Sequence, residues 1–272
     1  MAFFSVIIPL YNKEPIIGRS VESVLNQTFK DFELIIVNDG STDGSMAVVR
    51  HYKDERIRII EQENCGPSKA RNVGVQLSKG DWIVFLDADD VLLKEALSHF
   101  KKLIEENVCA DIICCSFYDQ YLFGKKKKNT KEGLISNPFR DYFLGNLFTT
   151  TGAFTSKKTL FDTYSFNEQL RRYEDVELWF RLFKSVKIIG NNKAVLCVNR
   201  LFAEASKRRI DINEDFIGHL DLKGKSFWEK MSLYKLFIEN RELYPKECHE
   251  LYKSLYYRYD FFLVYKLFQV RK

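Results

Sequence analysis

The first half of this 272-residue chain alternates short apolar runs with helical patterns, and that rhythm narrows the fold more than any other feature. The runs FFSVIIP, FELIIVN, IRIIEQ, DWIVFLD and DIICCSFY are separated by helical stretches at Ile16 to Leu25, Ser45 to Tyr52, Pro67 to Leu77 and Leu93 to Glu106. Such alternation implies an α/β fold with a mainly parallel central sheet and helices on both faces. The strands are near-continuous Val, Ile, Phe and Leu, as expected when both faces are buried. Ligands of these sheets gather at the carboxyl ends of the strands, so the polar residues there matter most.

Those ends are Pro9-Leu10-Tyr11-Asn12-Lys13-Glu14, Asn38-Asp39-Gly40-Ser41-Thr42-Asp43-Gly44 and Asp87-Ala88-Asp89-Asp90. The last is the strongest single feature. Clustered carboxylates repel one another, and a hard divalent cation, Mn2+ or Mg2+, is their natural partner. The competing account is a helix N-cap formed by Asp89 or Asp90. Asp39 is followed by Gly40 and small polar residues that permit a tight turn, and its carboxylate can accept from a base N–H or a ribose hydroxyl. A cap or turn role is the alternative, and it is the role expected of Asp43. In Asn64 to Asn72, Pro67 suits a first helical turn, and Arg71 could reach a phosphate or the base-binding edge.

After Tyr118 the rhythm breaks. The Lys125 to Lys128 run reads as a solvated turn. Val176, Trp179, Phe180 and Phe183 restore helical spacing, which puts Glu174 and Asp175 in a first turn that favours ionised carboxylates. From about Ile210 the pattern is helical and aromatic. The chain therefore divides into an α/β unit over 1–205 and a C-terminal helical, aromatic-rich region over 206–272.

Charge excludes little but weighs against nucleic acid. The 42 basic residues exceed the 37 acidic ones only mildly, where nucleic acid would call for a concentrated basic face. Six cysteines without paired spacing, and a start lacking a secretory signal, indicate a reduced, cytoplasmic protein. No apolar run approaches the roughly 20 residues needed to span a bilayer. Eight aromatics between Tyr252 and Phe268, among basic residues, could lie in a membrane interface or pack against the main unit or a second copy of the chain. The chain could also be a piece of a longer protein.

In order, PLYNKE, VNDGSTDGS, ENCGPSKARNVG, GDWIVFLDADD and RRYEDVELWFRL resemble the motif series of family 2 glycosyltransferases, inverting enzymes of the GT-A fold. The resemblance covers about residues 3 to 200. It implies a nucleotide-sugar donor, with UDP favoured, and a saccharide or lipid-linked acceptor in polysaccharide or glycoconjugate assembly. Asp39 would meet the base, Asp87 would lie near the ribose beside Ala88, and Asp89 would ligate the metal. Pro9, Tyr11, Glu14 and Arg71 would help form the nucleotide site, and Asp175 would be the general base. Donor-sugar specificity would sit around Thr149, Thr150 and Gly152. Many relatives carry a late His that completes the metal site; here Val198 to Ser206 holds none, and His219 reads as a surface or packing residue.

Two other readings compete. A strand ending in Asp-x-Asp also opens the haloacid-dehalogenase-like phosphatases, but those place the motif early and follow it with Gly and Thr. A nucleotide-sugar-binding protein without catalysis is left open by the missing His.

Overall fold

The computed structural model describes residues 2–201, 210–221, 223–240 and 242–244. The alternating runs fold as β1 (Phe4–Leu10), α1 (Ile17–Leu25), β2 (Phe32–Asp39), α2 (Ser45–His51), β3 (Ile57–Gln62), α3 (Pro67–Leu77) and β4 (Trp82–Phe85). Beyond them come β5 (Val91–Leu92), α4 (Ala96–Glu106), β6 (Ile112–Tyr121), β7 (Gly124–Lys128), β8 (Gly133–Leu134) and α5 (Pro138–Leu144). The described chain closes with β9 (Phe154–Lys157), α6 (Glu174–Leu182), β10 (Ile188–Asn199) and α7 (Phe227–Asn240).

All these strands form one sheet in the order β3-β2-β1-β4-β9-β6-β10-β5, with β7 added to β6 and β8 to β10. The first four strands pair in parallel, and β6 pairs in parallel with β10. Between the two parallel groups lies β9, antiparallel to both β4 and β6. Two reversals restore direction, so the carboxyl ends of β1, β2, β4, β6 and β10 reach the same sheet edge.

Side chains alternating along the strands feed two cores. Phe4, Val6, Ile8 and Leu10 of β1 pack with Ile17, Val21 and Val24 of α1 and with Leu97 and Phe100 of α4. On the opposite face, Ile7, Ile35 and Val37 pack with Ala70 of α3, with α6 and with Met231, Leu236 and Phe237 of α7. Each fully buried side chain of this size contributes about 1.5–3 kcal/mol of transfer free energy, so Val21→Asp alone would break the α1 face. The later turns of α3 lie close against β1: a Cβ at Gly74 would stand 2.4 Å from Ile7 Cγ2, so only glycine lets the helix approach the strand this closely.

Three local readings change. The helix after the acidic cluster begins at Ala96, because Val91 and Leu92 pair with β10 as a short strand; a helix cap by Asp89 or Asp90 is thereby ruled out. The Lys125 to Lys128 run is extended, hydrogen-bonded to β6, though as exposed as the expected turn. The strand starting at DIICC continues to Tyr121. The aromatic segment Tyr252 to Phe268 lies outside the described residues. Among the described residues, no helix is long and apolar enough to cross a membrane.

Candidate active site

The three loops expected to converge meet at this common edge. The first two are stitched together: Asn12 Oδ1 accepts from Thr42 N at 2.8 Å, Lys13 N donates to Ser45 Oγ at 2.8 Å, and Glu14 Oε2 accepts from Gly44 N at 2.9 Å. Glu14 thus works on the loop backbone. Asp43 has the turn role expected of it, accepting from Ser45 N and Glu14 N. Pro9 sits in register with Val37 at the end of β1, and the Tyr11 ring is exposed beyond it.

Asp39 is buried, and its carboxylate braces the turn into α3. Oδ1 accepts from Gln62 Nε2 at 2.7 Å and Cys65 N at 2.8 Å, while Oδ2 accepts from Gly66 N at 2.8 Å. Gly66 has φ +94°, and a Cβ there would collide with the Arg171 guanidinium, so the turn depends on glycine. From this turn α3 starts at Pro67 and carries Arg71 inward.

Arg71 is the centre of the site. Its Nη2 donates to Asp87 Oδ1 at 2.9 Å and its Nη1 to Glu174 Oε1 at 2.7 Å, with only 6% of the side chain exposed. Burial opposes its charge, but the Asp87 and Glu174 carboxylates outweigh that and hold the guanidinium firmly protonated. The ring of Phe166 lies beneath it at 5.3 Å. Arg71 Nε is buried without a partner. One buried cation therefore joins the acidic loop after β4 to the start of α6.

The acidic residues divide their work. Asp87 Oδ2 accepts from Thr151 Oγ1 at 2.8 Å, a partner between the Thr150 and Gly152 singled out for specificity. The Ala88 carbonyl accepts from Ser20 Oγ at 2.9 Å. Asp89 Oδ2 lies 2.6 Å from Lys13 Nζ, in a pair that is partly exposed. Asp90 turns inward, where Oδ1 accepts from Asn199 N at 2.8 Å; burial and the charges of Asp87 and Asp89 raise its carboxyl well above the ordinary range.

Asp175 departs from expectation. A helix start favours an ionised carboxylate, yet burial first and the Glu174 charge second push Asp175 up to about 7, despite the nearby Arg71 and a bond from Val176 N at 2.7 Å. Glu174 stands at the helix start as expected, and it is in addition an ion-pair partner of Arg71. His219 is exposed, and its Nε2 meets the Asn213 carbonyl at 2.8 Å, as a surface histidine would.

The set brought together is thus Arg71, Asp87, Glu174 and Asp175, with Asp89 beside it; Asp39 and Glu14 shape the flanking loops. Sequence reading missed Lys13, Thr151 and the bridging role of Glu174. Lys13 lies inside a motif and had a signal; Thr151 and Glu174 are 64 and 103 residues from their partners, beyond any local pattern.

The donor set fits a hard divalent cation, since only carboxylate oxygens are offered and Asp89 already faces a cation in Lys13. Among the described residues, no three His, Cys, Asp or Glu side chains are grouped to hold a metal by themselves. Such an ion would need oxygens from a bound diphosphate as well.

Comparison with known proteins places the chain among glycosyltransferases. The uncharacterized glycosyltransferase EpsJ of Bacillus subtilis is 42% identical over 118 residues, covering 43% of this chain and 34% of that protein. The GalNAc(5)-diNAcBac-PP-undecaprenol beta-1,3-glucosyltransferase of Campylobacter jejuni is 29% identical and covers 94% of this chain and 82% of its own. The chain spans about a third of the length of several of the relatives it matches. The crystal structure of S. aureus TarS 1-349 in complex with UDP-GlcNAc shares the fold, with TM-score 0.72 and 22% identity over 89% of this chain and 73% of that one. The model of glycosyl transferase family 2 matches residues 5–175, from the first strand to the candidate base, and the chain belongs to that family.

Proposed function

We propose that this chain moves a sugar from a UDP-linked donor to a hydroxyl of a saccharide or lipid-linked saccharide, with inversion, by a single displacement. The observation that carries the reading is Arg71, which ties Asp87 of the acidic loop to Glu174 and so holds Asp175 at the same sheet edge. The loops of Pro9, Tyr11, Glu14 and Asp39 form the nucleotide side, and Asp87 with Ala88 forms the floor beneath the ribose. Asp89 would hold Mn2+ or Mg2+ against the diphosphate, with Asp87 in the same loop. When bound, that ion supplies positive charge to the leaving nucleoside diphosphate.

Asp175 takes the proton of the acceptor hydroxyl. The acceptor oxygen then bonds to the anomeric carbon as its bond to the diphosphate breaks, and the electron pair leaves with UDP. The UDP-GlcNAc complex of TarS and the name of the Campylobacter enzyme support a UDP-sugar donor and a polyprenyl-linked acceptor here. Replacing Asp175 with Asn tests the reading: turnover should fall about 100- to 10,000-fold while UDP binding stays near the parent value. Sugar transfer at the parent rate by that variant would overturn it.

A further inference from the structure

The hairpin of β6 and β7 has a composition that the transfer reaction does not use. Its turn, Tyr121 to Gly124, carries Leu122 with 74% and Phe123 with 96% of their surface exposed. Four consecutive lysines follow. Lys128 reaches Asp119 at 3.8 Å, whereas Lys125, Lys126 and Lys127 form no ion pair with a described acidic residue. Asp119 is itself taken up by Arg200, so the ribbon presents uncompensated positive charge. Lys125 and Lys127 alternate with Lys126 across the two faces of the strand, which spreads the charge around the ribbon.

We infer that this hairpin docks the protein on an anionic lipid bilayer, with Leu122 and Phe123 entering the interface and the lysines meeting the headgroups. The dimensions agree. At about 3.4 Å per residue, Lys125 and Lys127 stand about 7 and 14 Å behind Phe123, the depth over which headgroups and their surface potential extend. Lysines alone would serve to guard the free edge of β7 against another strand. An exposed Leu-Phe pair at the tip works against solubility and gains nothing from a polyanion, but it gains about 10-fold or more per side chain from hydrocarbon. The tip also projects at the carboxyl end of β6, the same sheet edge as Asp87 and Asp175, so docking there turns the site toward the surface. This last step rests on the proposed lipid-linked acceptor; the docking itself does not.

The test is sedimentation of the full chain with vesicles of phosphatidylcholine alone or of equal parts phosphatidylcholine and phosphatidylglycerol. Binding should require the anionic lipid and weaken with salt. Lys125→Gln/Lys126→Gln/Lys127→Gln should lower the partition coefficient about 100-fold, at about 1 kcal/mol per lysine, while the matching Arg triple should hold the parent value. Leu122→Ser/Phe123→Ser should lower it at least about 100-fold without removing the salt dependence. Calorimetric UDP affinity at the parent value verifies each fold, and if the Gln triple is misfolded the Arg and Ser variants decide. Equal binding to neutral vesicles, parent-like binding by the Gln or Ser variants, or binding to polyphosphate but not vesicles overturns the proposal. A protein that docks but transfers no sugar leaves it standing and sinks the transferase reading.

Discussion

Asp175 should cost the fold stability at neutral pH, and Asp175→Asn should return part of it. In the folded chain its carboxyl is raised from 3.8 to about 7, first by burial and then by Glu174. Between those values the folded state keeps a proton that the unfolded state has released. Stability therefore falls as pH rises through the window, and the loss is complete above about 7. At 1.36 kcal/mol per unit the full loss is about 4 kcal/mol, and at pH 5 it is under half of that. An Asn at the position carries no charge, but its amide N–H groups are left without a partner, at a cost of about 1–2 kcal/mol. The net gain is then about 2–3 kcal/mol at pH 8 and about zero at pH 5. For a chain of this size that corresponds to a rise in Tm of about 4–12 °C at pH 8. Thermal unfolding by circular dichroism, without nucleotide and with chelator present, reads the shift. An equal shift at both pH values, or none at pH 8, would refute the account of this carboxyl.

Three further outcomes follow from the same geometry. Arg71→Met should cost about 3–5 kcal/mol in chemical denaturation, since it strands Asp87 and Glu174 beside Asp175 without their shared cation; a loss below about 1 kcal/mol would show that Arg71 is not the organising charge. Lys13→Met should tighten calorimetric binding of Mn2+ to the UDP-loaded chain by about two- to fivefold, because an ammonium no longer competes for Asp89; weaker binding would contradict that competition. The pH profile of kcat/KM should fall on its acid side with a midpoint near the raised value of about 7, and a midpoint near 4 would remove Asp175 from the role of base.

The sequence was most legible where burial imposes a pattern. Strands β1, β2 and β4 are buried on both faces, so their apolar runs could only be central strands, and the polar loops after them marked the functional edge. It was least legible where pairing decides the conformation. Phe154 to Lys157 is too short to show a period, yet it fills the gap between β4 and β6 as an antiparallel strand. The lysine run has no apolar alternation at all and is extended only because β6 offers its edge. The site divides in the same way. Asp39, Asp87 and Asp89 stood out by residue type and position and Asp175 through the family resemblance, but neither the pairing of Arg71 with Glu174 nor that of Thr151 with Asp87 leaves a trace in local spacing.

The contrast between Glu174 and Asp175 explains how one helix start can hold two carboxylates with different duties. Both gain from the same unpaired N–H groups at the beginning of α6, so the helix cannot distinguish them. Arg71 does. Its Nη1 donates to Glu174 at 2.7 Å, which ties that charge to structure, while Asp175 accepts from the backbone N–H of Val176. The fixed negative charge of Glu174 then raises its neighbour, adding to burial. A carboxylate lifted to about 7 is a stronger proton acceptor than one near 4, and at neutral pH it is still about half ionised. On the proposed mechanism, the burial that weakens the fold is the same burial that would make Asp175 an effective base, and Glu174 would act through its neighbour without touching the acceptor.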